Sequence, residues 1–138
     1  MTNDSLKDEY LDASSNMKHY GTLHFAELTV FVAITAGIIT LVFTSHPPLL
    51  PLIRKLLKFG GFIVTICFWL MDISGVYLWT HFAKRAAELE SQLGYRQYSS
   101  LPGAPKFNRI RPATVGLWLF YILILIFWVT TIIWNEKF

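Results

Sequence analysis

Charge is scarce in this sequence. Only 15% of its 138 residues are charged, against about a quarter in an ordinary soluble domain, and no Lys or Arg falls within 25–45, 60–82 or 113–134. Cysteine is scarcer still. The single Cys67 excludes an internal disulfide and a cysteine-rich metal site, and reads as a small buried packing residue. Also missing are a phosphate-cradling glycine loop, a serine nucleophile elbow, zinc-ligand spacing and a lipidation signal. The start of the chain has neither the basic opening nor the early apolar core of a cleaved signal peptide, so the first apolar segment is expected to stay as an anchor. No His, Asp and Ser gather on one face as a nucleophilic triad. The sequence therefore points away from an enzyme.

What is present is apolar. Hydrophobic residues make up 54% of the chain and aromatic residues 16%, with a mean hydropathy of +0.44. Three runs are long enough to cross a hydrocarbon core, which takes about 20 residues: 25–45, 60–82 and 113–134. They are too long for strands and do not alternate, and lipid favours helices because every backbone group must be satisfied internally. The expected fold is an all-α integral membrane protein with three transmembrane helices. The second span is expected to have a helical extension, and a basic loop to precede the third.

Four further segments complete the outline. Residues 1–24 form a polar N-terminal segment. Residues 46–59 form an interfacial connection, in which Pro47, Pro48 and Pro51 interrupt the first helix. Along 52–59, Arg54, Lys55 and Lys58 share one side and leucines the other, as in a stretch lying on a membrane surface. Residues 83–112 continue the second span as a cytoplasmic helix, capped at Gly94, and then a Pro- and Gly-containing loop. Residues 135–138 are a short tail. Of the twelve Lys and Arg residues, eight fall on the N-terminal side of the membrane and four on the other, which places the N-terminus in the cytoplasm and the C-terminus opposite. A bacterial inner membrane is the expected location.

One carboxyl group stands out. Asp72 sits about halfway along 60–82, where an Asp costs roughly 2.5–3.5 kcal/mol on insertion, while the Leu, Ile, Phe and Val residues of that span together return about 4 kcal/mol. Such a group is paired or turned from lipid. The first span offers hydroxyls at Thr29, Thr35 and Thr40. It also offers a small-residue stripe in which Ala33 and Gly37 form a small-xxx-small pair, and Ser74 and Gly75 are small neighbours of Asp72. These faces are expected to dock, with Asp72 bonded to a threonine or meeting another chain.

At the cytoplasmic rim, Glu27 is expected to pair with Lys84 or Arg85. His24 and His81, both at helix ends, share that level if the first two spans are antiparallel, an arrangement able to ligate a b-type haem; otherwise no cofactor or metal is implied. Trp79, Tyr77, Phe82 and Trp134 fit interfacial belts, and Trp69 and Trp128 lie deeper as helix-contact residues. Arg54, Lys55, Lys58, Arg96, Lys106, Arg109 and Arg111 offer a surface to lipid headgroups or a partner.

The first functional reading is a non-catalytic membrane protein acting through helix–helix assembly with other subunits or copies of itself, as an accessory subunit of a larger complex. A second is a homo-oligomeric pore or ion- or proton-conducting protein using Asp72. A third is a haem anchor using His24 and His81. Nothing suggests nucleic acid.

Overall fold

Three helices account for nearly all of what the computed structural model describes, residues 3–45, 49–97 and 112–134. Helix α1 is Asn3–Thr44, α2 is Pro51–Leu93 and α3 is Pro112–Trp134. Among the described residues there is no strand. Each helix is long and apolar enough to cross a membrane.

The helix limits follow from local chemistry. Asp4 lies in the first turn of α1, where a negative charge suits the helix dipole. The polar N-terminal segment is thus helical from Asn3 onward, because nothing between Asn3 and Thr44 breaks the backbone ladder. Hydroxyls in α1 return to their own helix: Thr22 donates to the Lys18 carbonyl at 3.1 Å, Thr40 to Ala36 at 2.9 Å and Thr44 to Thr40 at 2.7 Å.

Pro51 opens α2 at the first helical position, where its fixed φ fits and its missing N–H has no partner to lose. The Arg54 amide then bonds to the Leu50 carbonyl at 3.0 Å. The stretch expected to lie on the membrane surface is therefore the opening of α2 itself, and the helix passes through Gly60 and Gly61 without a break. At the other end Gly94 takes φ +73°. The Tyr95 amide turns back to the Glu90 carbonyl at 3.1 Å, a Schellman closure of the kind expected for that glycine.

The chain divides into two units. One comprises Met1–Phe25 and Asp72–Ile110, and the other Ala26–Met71 and Arg111–Phe138. The first is a helical hairpin. Its α1 and α2 segments run antiparallel, as shown by Tyr10 against Glu90, Tyr20 against Phe82 and His24 against Asp72. Its seam follows alternating steps of three and four residues: Leu6, Tyr10, Ala13, Met17, Tyr20 and His24 on α1, and Asp72, Val76, Trp79, Ala83, Ala86, Glu90 and Leu93 on α2, all buried or half-buried. That is the 3.5-residue period of an antiparallel coiled-coil seam. Tyr10, Ala13, Ala86 and Leu89 form its tightest cluster, and the alanines permit close approach of the two helices.

The second unit is a three-helix bundle formed by 26–44, 51–71 and 112–134. Phe31, fully buried, is its aromatic centre, with ring centroids 5.4 Å from Phe68, 6.1 Å from Phe120 and 5.1 Å from Tyr121. Trp69 stacks on Tyr121 at 6.5 Å. Gly61 lies beneath Trp128, whose ring is fully buried: a Cβ at that position would come within 2.8 Å of three ring atoms. Only a glycine fits there. Around this core most large apolar side chains face outward, including Val30, Leu41, Phe43, Ile63, Leu70, Leu119, Leu123 and Ile133. Cys67 is exposed with them, contrary to the buried packing role expected of it. The buried positions on this part of α2 are Lys58, Gly61, Thr65 and Asp72, and Cys67 points away from that line.

Candidate functional site

Asp72 is the first residue that α2 contributes to the hairpin, one position beyond the bundle's last α2 residue, Met71. Both Asp72 and His24 occupy seam positions of the hairpin, and His24 Nδ1 lies 2.9 Å from Asp72 Oδ1. The Asp72 side chain is 3% exposed and that of His24 is 29% exposed. Protonated, the imidazole provides the carboxylate with a cation in a place where an isolated charge is expensive. Asp72 thus has a potential ion-pair partner within its own chain, His24, a residue not among the threonines and the second chain expected to meet it.

The register that brings His24 to Asp72 separates it from His81. His81 lies nine positions beyond Asp72 on α2, about 13 Å along a helix axis, and is exposed with its ring at the edge of Phe82. The two histidines expected to share a level do not face each other. The reason is that α1 does not begin at 25: its helix reaches back to Asn3, and the pairing of its earlier turns fixes which residues meet.

The same shift corrects the expected rim ion pair. Arg85 Nε and Nη2 both donate to Glu9 Oε1, at 2.8 and 2.5 Å, and Nη1 lies 3.4 Å from Glu88 Oε2. The hydrogen bond to Glu9 and its charge raise the Arg85 guanidinium above its ordinary range. Glu27 has no ion pair among the described residues, and neither has Lys84. Glu9 lay unconsidered in a segment read only as polar. Further along the seam the Tyr10 hydroxyl lies 3.2 Å from Glu90 Oε1 and 3.3 Å from Gln97 Oε1. Glu90 is fully buried there.

In the bundle the threonines separate. Thr35 is 6% exposed and Thr65 is fully buried, its hydroxyl bonded to the Gly61 carbonyl at 2.8 Å. Thr29 and Thr40 are exposed, as are Ala33 and Gly37, and a Cβ at Gly37 would meet open space. In the hairpin Ser74 is exposed, and a Cβ at Gly75 would likewise meet nothing. The small-residue stripe thus faces outward from the bundle.

Among the basic residues, Lys58 is 4% exposed and its Nζ donates to the Thr131 carbonyl at 2.9 Å. Thr131 belongs to the last turn of α3, whose carbonyls have no partner within the helix. The ammonium therefore caps α3 from a neighbouring helix. Lys55 and Arg96 are exposed and Arg54 is half-buried; Lys106, Arg109 and Arg111 lie outside the described residues.

Chemically, the Asp72–His24 couple can hold or exchange a proton at an otherwise closed seam. Among the described residues no group of three or more His, Cys, Asp or Glu gathers to hold a metal ion. The pairing of α1 with α2 does not follow from composition; it follows from the three-four spacing that runs through "LKDEYLDASSNMKHYGTLH". Comparison with known families finds no matching family model, and comparison with curated proteins and with solved structures finds no match.

Proposed function

We propose that this chain is a non-catalytic integral membrane protein that acts by helix–helix assembly, as an accessory subunit of a larger membrane complex. The observation that carries the reading is the outward face of α1 in the bundle. Ala33, Ala36, Gly37 and Thr40 are all exposed there. Gly37 has open space over it, and the Thr40 hydroxyl is already satisfied by its own helix. In lipid, association is driven by close backbone approach and packing rather than by hydrophobic transfer, so small residues with no unmet polar group suit a second helix. Asp72, closed off by His24, supports this reading over a pore in which several copies expose the carboxylate to a shared path. The Lys and Arg distribution supports an N-terminus on the cytoplasmic side, and a bacterial inner membrane is the location we propose.

The test is native mass spectrometry of the chain taken from membranes in mild detergent. The expected result is a defined heteromeric or homomeric species that Gly37→Leu reduces to single chains, with helicity unchanged because the position is open. An isolated chain in both forms, or a complex indifferent to Gly37→Leu, overturns the assignment.

A further inference from the structure

The opening turns of α2 concentrate positive charge where the described residues offer little to balance it. Arg54, Lys55 and Lys58 fall within five positions, and none of them is in ion-pair contact with a carboxylate among the described residues. Lys58 is committed to the Thr131 carbonyl. Arg54, four residues before it, lies on the same side of the helix, where like charges repel. The Arg54 Nε is closed to solvent and has no hydrogen-bond partner among the described residues, an arrangement that normally costs free energy. The surrounding side chains are apolar: Leu50, Leu52, Ile53, Leu56 and Phe59 are between 42% and 69% exposed.

We propose that this end of the bundle binds the headgroup of an anionic phospholipid, with Arg54 and Lys55 holding its phosphate and the exposed Leu52 and Phe59, one turn to either side of Lys55, lying against its acyl chains. A guanidinium engages phosphate oxygens through two parallel N–H bonds, and an adjacent ammonium adds a point charge. The anion offsets the repulsion between Arg54 and Lys58. A free phosphate would supply the charge alone and leave Leu52 and Phe59 uncovered; a lipid supplies both. The site rests on the bundle lying in a bilayer and is independent of any partner subunit. Resistance of the unaltered chain to carbonate extraction from membranes tests that premise separately.

The experiment uses the full chain, stripped of lipid in detergent, with native mass spectrometry after addition of palmitoyl-oleoyl phosphatidylglycerol, the matching phosphatidylcholine, or sodium phosphate. Phosphatidylglycerol is expected to be retained in preference to both others, and less so as salt rises. Two cations at a membrane surface are together worth about 30-fold in binding. Arg54→Gln with Lys55→Gln should therefore weaken phosphatidylglycerol retention by about that factor, while Arg54→Lys with Lys55→Arg keeps most of it and Arg96→Gln leaves it unchanged. Circular dichroism of each variant checks that the helices persist. Equal retention of the two lipids by the unaltered chain, phosphate bound as tightly as phosphatidylglycerol, or a folded double-Gln variant that still prefers phosphatidylglycerol overturns the proposal. The first two outcomes do not depend on any variant folding.

Discussion

Replacing His24 should damage the protein more than replacing both members of its pair. His24→Leu takes the cation away from an Asp72 side chain that is 3% exposed. Breaking a buried pair from one side costs about 3–5 kcal/mol, and because His24 itself is 29% exposed the lower end of that range applies, about 3 kcal/mol. Asp72→Leu leaves an imidazole that can shed its proton and reach water, so it should cost less, on the order of 1 kcal/mol. His24→Leu with Asp72→Leu removes both desolvation penalties and supplies two apolar side chains to seam positions already lined by Met17, Tyr20, Val76 and Trp79. Such replacements are often neutral or stabilising. The double variant should thus lie at or above the unaltered chain in stability, with a coupling of about 3 kcal/mol or more between the sites. The assay is denaturant-induced loss of helicity in detergent for the four proteins of the cycle. Costs that simply add, with the double variant the least stable, would refute the claim that the pair matters as a pair.

Other consequences follow from single contacts. Gly61→Ala drives a methyl into the Trp128 ring and should lower stability by about 1–3 kcal/mol, an effect that Trp128→Leu relieves; the same unfolding assay reads the rescue. Lys58→Met uncaps the Thr131 carbonyl, and the loss of a charge-assisted bond should cost about 1.5–3 kcal/mol, visible as fraying of α3 in amide hydrogen exchange. Tyr10→Phe removes the hydroxyl that approaches both Glu90 and Gln97 and should destabilise the hairpin by about 1.5 kcal/mol, with little change in exchange of α3 amides. Arg85→Ala, by contrast, breaks a pair whose arginine is 43% exposed; its effect should be small and vanish in high salt.

How much of this was legible in the residues depends on the kind of signal. The three apolar runs declare three long helices directly, and Gly94 announces the end of α2 because an exposed glycine after "AELESQL" suits the left-handed backbone found there. Pro51 was harder to read. The same ring that ends a helix opens one at its first position, and only the Leu50–Arg54 bond decides which. The polar opening segment hid most. Its charges, Asp4, Asp8, Glu9 and Asp12 among them, drew attention away from Leu6, Tyr10, Ala13, Met17, Tyr20 and His24, which share one face at three-four spacing. Counting that stripe would have extended α1 backward, aligned His24 with Asp72 instead of His81, and delivered Glu9 to Arg85 in place of Glu27. The outward direction of Ala33 and Gly37 was not readable from either helix alone, because small residues serve equally inside a bundle and on its rim. Lys58 was misjudged for a related reason: a lysine near an apolar run suggests a surface, and what turns it inward is the terminus of a helix more than 70 residues away in sequence.

The third helix has a consequence for how the protein is built. Of its described side chains only Tyr121 and Trp128 are buried, two turns apart: Tyr121 meets the rings of Phe31 on α1 and Trp69 on α2, and Trp128 lies over Gly61 on α2. It has no charge along its length, so it needs no neighbour in order to enter a bilayer. Insertion and docking are then separable events, in the manner of two-stage assembly. A chain cut between α2 and α3 and made as two polypeptides should reassemble in the membrane, with Tyr121, Trp128 and the Thr131 carbonyl among the points of attachment.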